Sequence, residues 1–147
     1  MRLQTASSVI SLARELEGES AKFYEDLAQR FAEGEDTFLS FAKENRKYIV
    51  QIERAYYGVI TDAIEGCFAF DIESDDYAIE TALAEKTGYS DALSQAIEME
   101  ETVVKFYTDA AEQSKSLMAD VPRAFMLIAR KRGERQAKLK SLRGKEG

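Results

Sequence analysis

The chain has no histidine and no tryptophan, and it has one cysteine, Cys67, and one proline, Pro122. The lack of histidine excludes an imidazole base, Ser-His and Cys-His nucleophile pairs, and any metal site that needs imidazole. A single cysteine excludes an intrachain disulfide and a thiolate metal cluster, and it favours a reducing, cytoplasmic location. A single proline leaves room for long uninterrupted helices.

Length and charge limit the possible classes further. The 147 residues predict a single domain, and a hydrophobic content of 45% is enough for a proper core. The net charge of −7 divides into −14 for residues 1–121 and +7 for residues 122–147. We interpret the basic segment as a helix lying against acidic helices, and we expect no nucleic-acid binding because the acidic remainder repels phosphate. The sequence has no long apolar run, so we expect neither a membrane span nor a signal peptide.

Four stretches carry apolar residues at alternating spacings of three and four, which is typical of helices that pack in a bundle. The predicted helices cover about residues 7–33, 36–65, 90–118 and 122–143. Ser90 is the expected N-cap of the third helix, and Pro122 fits the first turn of the fourth. The short gaps predict two antiparallel helical hairpins.

Residues 66–89 are too many for a tight turn and predict a long crossover between the hairpins. Its apolar patch, Cys-Phe-Ala-Phe at residues 67–70, is expected to lie on the bundle or in an oligomer contact. Ser74 and the aspartates after it are expected to cap a short helix that runs to about Ala84.

The two halves of the sequence repeat. Residues 15–24 and 98–107 both end in Lys-Phe-Tyr, and both place a glutamate seven residues before that tyrosine. The second helix of each half shares a phenylalanine, Phe38 or Phe125, followed by an apolar residue and an alanine at the same offsets. Two similar hairpins and a long crossover predict an all-α fold, a four-helix bundle with a pseudo-twofold axis.

The residues at spacings of three and four form an apolar seam along each predicted helix. Each helix carries polar residues near the middle of this seam. These residues are Glu17, Asn45, Tyr48, Glu100, Arg132 and Arg135. Charged residues are rarely buried without partners, so six polar seam residues at one level predict a common site.

With these residues the chain resembles the rubrerythrin-type branch of the ferritin-like superfamily, and the resemblance extends over nearly all of it. It implies a ferritin-like bundle with a di-iron carboxylate centre. In that pattern the first and third helices each give a glutamate followed seven residues later by a tyrosine, and the other two each give Glu-x-x-His. Glu17 and Glu100 match the glutamates, and Tyr24 and Tyr107 match the tyrosines.

The rest of the family's ligand set is missing. Asn45 and Tyr48 stand where the second helix has its Glu and His, and Arg132 and Arg135 stand where the fourth has them. Two carboxylates and an amide are too few donors for two cations, and a guanidinium has no lone pair to offer. We therefore expect no metal and no cofactor, with Glu17 as one of two residual candidates for a metal ligand.

The other residual candidate is Glu100. Moving the second helix by one residue would instead place Glu44 and Lys47 at the ligand positions, but this slip breaks the apolar seam. Two guanidiniums can take the electrostatic place of two metal ions opposite two carboxylates. The resulting hypothesis is a buried salt-bridge cluster with forked Arg–carboxylate pairs, formed by Glu17, Glu100, Arg132 and Arg135. The remaining hydrogen bonds are expected from Tyr24, Tyr107, Asn45 and Tyr48.

Three functions stay open on this evidence. The first is a non-catalytic ferritin-like protein that has lost its di-iron centre. The second is a rubrerythrin-type oxidoreductase or peroxidase that still binds iron through Glu17 and Glu100, with help from Glu44 or Glu134. The third is a small-anion binder that uses the two arginines in the former metal cavity.

Self-association is also expected, because ferritin-like bundles commonly pair. The predicted assembly is a homodimer or a higher homo-oligomer, with no membrane contact and no identified protein partner. The apolar surface expected for this contact consists of Tyr56, Tyr57, Phe68 and Phe70.

Overall fold

The computed structural model describes residues 1–59, 70–115 and 120–145. In these residues the fold is all-α apart from one small sheet. The four helices are α1 (Ala6–Arg30), α2 (Glu35–Val59), α3 (Tyr89–Ser114) and α4 (Asp120–Lys145). In the same residues, no helix has the length and low charge that a membrane span requires.

Both helical hairpins are antiparallel. Arg14, early in α1, forms an ion pair with Glu53, late in α2, at 2.8 Å between Nε and Oε1. Arg143, late in α4, donates a hydrogen bond to the hydroxyl of Ser94, early in α3, at 3.2 Å. The prediction of two antiparallel pairs is therefore confirmed.

The ends of the helices differ from the predicted ones. The backbone leaves α1 at Phe31, and a short 3-10 helix (Ala32–Gly34) leads into α2. Gly88, and not Ser90, is the N-cap residue of α3, which ends at Ser114 and not at 118. The predicted end of the second helix near residue 65 lies outside the described residues. α4 begins two residues before the predicted start, with Pro122 in its first turn.

Two short strands, β1 (Arg2–Leu3) and β2 (Ile72–Glu73), pair antiparallel and join the start of the chain to the crossover. No pattern in the sequence predicts this sheet. Leu3 and Ile72 face each other in the ladder, and both side chains are buried in the core. The pairing therefore anchors the crossover to the end of the bundle where α1 starts.

The rest of the described crossover has little regular structure. The predicted short helix through Ala84 is wrong: a 3-10 helix (Ser74–Tyr77) forms and then ends. The segment that follows is tied to α3, where the Gln95 side chain donates to the carbonyls of Glu80 and Ala82 at 3.1 and 2.9 Å. These bonds supply the backbone with partners that a helix would otherwise provide.

Two of the four residues expected to form the self-association surface are internal. Tyr56 and Phe70 are 5% and 3% exposed, and both belong to the core of the single chain. Tyr57 is exposed. Phe68 and the rest of its patch, including Cys67, lie outside the described residues.

Two apolar clusters fill the bundle, one toward each end. On every helix, membership changes from one cluster to the other at the polar seam residues. In α1, for example, Leu16 belongs to the first cluster and Ala21 to the second, with Glu17 and Ser20 between them. The predicted polar residues therefore form one layer across the middle of an otherwise apolar core.

Replacing Gly34 with alanine is expected to destabilise the fold by about 1–3 kcal/mol, because the new methyl group overpacks a filled site. An added Cβ lies 2.6 Å from Cε2 of Phe38, whose ring is fully buried, and 2.8 Å from the Tyr89 hydroxyl. Chemical denaturation measures the change. Gly18→Ala is the matched control: a Cβ there meets nothing within 4 Å, so the control is expected to gain about 0.5–1 kcal/mol from helix propensity. Equal stability of the two variants contradicts the prediction.

Candidate functional site

The polar layer brings together all the site residues that the sequence predicted. Glu17, Asn45, Glu100 and Arg132 have no exposed surface, and Tyr48 and Arg135 are only 2% and 3% exposed. The fully buried Tyr24 and Tyr107 lie beside them. The helical seams account for this convergence, since each polar residue replaces an apolar one on the face that its helix turns toward the core.

Arg132 is the centre of the layer and binds both glutamates. Its Nη1 donates to the two carboxylate oxygens of Glu100, both at 2.6 Å. Its Nη2 donates to the two oxygens of Glu17 at 2.5 and 2.7 Å, and its Nε reaches Glu17 Oε2 at 3.2 Å. Every oxygen of the two carboxylates thus accepts a charge-assisted hydrogen bond from a single guanidinium.

The two tyrosines complete this arrangement in a reciprocal way. Tyr24 of α1 donates its hydroxyl to Glu100 of α3 at 2.8 Å, and Tyr107 of α3 donates to Glu17 of α1 at 3.1 Å. The tyrosine of each Glu-x6-Tyr repeat therefore binds the glutamate of the repeat in the other hairpin. This exchange links α1 to α3 across the core.

Burial and charge together set the protonation of this group. Burial alone lowers the pKa of Arg132, but the charges of Glu100 and Glu17 outweigh it and raise that pKa well above its usual range. Burial raises the pKa of Glu17 above its usual value, although the nearby Arg132 opposes the rise. Burial, followed by the adjacent carboxylates, raises the pKa of Tyr24 and Tyr107 well above 10. Both phenols therefore stay protonated and keep donating.

Arg135 has different partners from Arg132. Its Nη1 donates to Asn45 Oδ1 at 2.6 Å, and its Nη2 donates to the backbone carbonyl of Phe41 at 2.9 Å. Among the described residues, the carboxylate oxygens nearest to it, on Glu100 and Glu44, are 3.7 Å away and beyond hydrogen-bond distance. The predicted second forked Arg–carboxylate pair does not form, because Arg132 occupies both core glutamates.

Aromatic rings surround the Arg135 guanidinium instead. Its Cζ lies 4.7 Å from the ring centre of Phe41, 5.2 Å from that of Tyr48 and 5.6 Å from that of Tyr24. At these distances the negative ring faces attract a cation. The rings compensate in part for the hydrogen-bonded carboxylate that Arg135 lacks.

The hydrogen-bond roles predicted for α2 are confirmed only for Asn45, whose side-chain oxygen accepts from both arginines. The Tyr48 hydroxyl is buried and has no partner among the described residues, so its predicted role as a donor to the cluster is wrong. Two contributors were missed: the Ser20 hydroxyl, which accepts from Arg132 at 3.1 Å, and the Phe41 carbonyl. Ser20 follows Glu17 by three residues on the same seam, so this spacing could have identified it as a member of the site.

The site residues do not fit a di-iron centre. Iron requires several oxygen or nitrogen lone pairs, but both carboxylates here accept from Arg132, and Arg132 has no lone pair to offer. Across residues 1–59, 70–115 and 120–145, no group of three or more His, Cys, Asp or Glu side chains is placed to hold a metal ion. Glu44 and Glu134 line a groove beside Arg135 and not the carboxylate pair.

Replacing Arg132 with methionine is expected to destabilise the protein by about 3–5 kcal/mol at neutral pH, because two buried carboxylates lose their cation. Adding Glu17→Gln and Glu100→Gln to that variant is expected to recover part of the loss, since no buried charge then remains. Denaturant unfolding at several pH values tests both. Without the opposing charge of Arg132, burial raises the folded-state pKa of Glu17 further, so the single variant regains stability as pH falls. A triple variant less stable than the single one refutes this account.

The tyrosines predict how stability changes at alkaline pH. Because the folded-state pKa of Tyr24 and Tyr107 lies well above 10, the unfolded chain releases these protons first. Stability is therefore complete below about pH 10 and falls as pH rises above it. Tyrosinate absorbance, followed together with circular dichroism, is expected to show that the buried phenols ionise only as helix is lost. The chain in denaturant is the control, and full ionisation in a helical protein contradicts the prediction.

Comparison of the chain with protein-family models, with curated proteins and with solved structures found no match.

Proposed function

We propose that the chain is a non-catalytic, ferritin-like protein of the rubrerythrin type, whose di-iron centre has been replaced by a buried Glu-Arg cluster. The observation that carries the proposal is the position of the Arg132 guanidinium, which bridges Glu17 and Glu100 in the middle of the bundle. These are the glutamates that the resemblance assigns to the metal centre. The cation that holds them together here belongs to the protein itself.

Charge balance supports the replacement. In the family pattern four carboxylates face two divalent cations, and here two buried carboxylates face two buried guanidiniums. Both arrangements are formally neutral, so the bundle avoids the large cost of an uncompensated buried charge. A guanidinium cannot change oxidation state or bind oxygen, so the same replacement removes the basis for redox catalysis.

The role left for such a protein is that of a scaffold or a partner-binding subunit. Self-association as a homodimer or larger homo-oligomer belongs to this proposal, as does a cytoplasmic location. Beyond Tyr57, support for an assembly surface comes from Leu39 and Val50, which leave about half of their area exposed on α2. The chemistry of this face does not identify a heterologous partner.

The alternative function is an iron-dependent oxidoreductase that uses Glu17 and Glu100. It requires Arg132 to leave a fully buried position, because all four carboxylate oxygens accept from it. Such a movement breaks the hydrogen bonds that Arg132 makes in the core. A guanidinium that stays in the core without them costs several kcal/mol. The non-catalytic function is therefore preferred.

Restoring the missing ligands tests both the fold and the loss of metal. A variant carrying Glu-x-x-His on α2 and α4 is expected to bind two divalent ions per chain, whereas the wild type binds none stoichiometrically. Its four substitutions are Asn45→Glu, Tyr48→His, Arg132→Glu and Arg135→His. Cobalt(II) absorbance and thermal shift measure binding by purified protein. Elemental analysis measures iron in wild-type protein from iron-rich medium.

The matched control places the same motif one residue earlier on each helix. It keeps Glu44 and carries Lys47→His, Lys131→Glu and Glu134→His, so it offers similar donors outside the buried layer. This control is expected not to form a paired-metal site. Equal loading of variant and control contradicts the ferritin-like register, and stoichiometric iron in the wild type contradicts the loss of the metal centre even where the variant does not fold.

A further inference from the structure

The two buried arginines are unequally neutralised. Arg132 binds both core glutamates through hydrogen bonds, whereas the hydrogen bonds of Arg135 go to two neutral oxygens, on Asn45 and Phe41. A guanidinium has five N–H groups, and the Nε–H of Arg135 has no partner within the described part of the chain. Arg135 therefore keeps free donor capacity, and the carboxylates that balance its charge, on Glu100 and Glu44, stay 3.7 Å away, although its side chain is only 3% exposed.

A surface groove opens over this arginine. It lies between α2 and α4, has a volume of about 330 Å³, and includes Arg135 among its lining residues. The other residues along it are Phe41, Glu44, Lys131, Glu134 and Lys138. An ion that enters the groove from solvent can thus meet a guanidinium held rigidly in the core.

The charge of the groove favours an anion. Arg135, Lys131 and Lys138 contribute three cations, and Glu44 and Glu134 contribute two carboxylates. Lys131, Arg135 and Lys138 follow one another at spacings of four and three on α4, so they form one stripe. A low-dielectric wall behind that stripe strengthens its attraction for a negative ligand.

Two further unpartnered groups belong to residues that contact Arg135. The amide nitrogen of Asn45 and the hydroxyl of Tyr48 are buried and have no hydrogen-bond partner among the residues described. Both can donate, as can the Arg135 Nε. Neither Asn45 nor Tyr48 lines the groove, so Arg135 is the core residue that offers a small oxyanion there a charge-assisted hydrogen bond.

We infer that the groove between α2 and α4 is a binding site for a small oxyanion, either a phosphate or a carboxylate, with Arg135 as its main anchor. Lys131 and Lys138 neutralise the solvent side of the ligand. Glu44, whose carboxylate lies 3.7 Å from Arg135 Nη2, occupies part of the same field and lowers the affinity until it swings toward solvent. The inference does not depend on the proposed loss of iron, because the ligand contacts Arg135 and the lysines of the groove, and not the two core glutamates.

Isothermal titration calorimetry of the purified chain with inorganic phosphate, at constant ionic strength, tests the site. We expect saturable binding of one phosphate per chain. Lys138→Gln should weaken it roughly five- to tenfold, and Glu44→Gln should strengthen it by a similar factor, because a competing charge is removed. Arg130→Gln is the matched control: Arg130 is an exposed arginine on α4 outside the groove lining, and its loss should leave binding unchanged.

The same titration with acetate distinguishes the two sources of the oxyanion. Tighter phosphate binding assigns the site to phosphate groups, and tighter acetate binding assigns it to carboxylates. Arg135→Gln should abolish the binding of phosphate and of acetate if the variant folds. If it does not fold, the Lys138→Gln and Glu44→Gln variants test the site. Heat that fails to saturate, or equal affinity in the Glu44, Lys138 and Arg130 variants, shows nonspecific screening and overturns the inference.

Discussion

The bundle depends on the neutralisation of two buried carboxylates by one guanidinium. Glu17 and Glu100 come from the first helix of each hairpin, and Arg132 comes from the last helix. Neither carboxylate can remain charged in this core alone, so the three helices must meet in one relative position. Such a cluster adds little net stability over apolar packing. Its main effect is to make other registers of the helices costly, since they leave a charge without a partner.

Most of the fold and the members of the site could be predicted from the sequence, because the signals are periodic and long. A seam of twenty residues with apolar side chains at spacings of three and four has few alternative readings, and its polar interruptions mark the same level on each helix. The structure buries the predicted residues of that level, from Glu17 to Arg135. The repeat added a check, since Tyr24 and Tyr107 exchange carboxylates between the hairpins.

The predictions that were missed or wrong concern features that leave no periodic pattern in the sequence. Two-residue strands such as Arg2–Leu3 have no alternation to detect, and their partner is about seventy residues away. The cap of α3 is Gly88 instead of Ser90 because helix ends depend on local backbone geometry. The partners of Arg135 depend on distance: at 3.7 Å a carboxylate contributes a field but no hydrogen bond, and spacing along a helix cannot resolve that difference.

The asymmetry of the cluster follows from the repeat. In the sequence repeat Asn45 and Tyr48 correspond to Arg132 and Arg135, so α4 contributes two cations where α2 contributes only neutral groups. Two guanidiniums one turn apart cannot share two carboxylates equally when one guanidinium lies between the two carboxylates. Arg132 takes that position, and Arg135 is displaced toward the α2–α4 surface, where rings and neutral oxygens surround it. A centre that is neutral as a whole therefore leaves positive potential at one side of the bundle, next to a groove that solvent can reach.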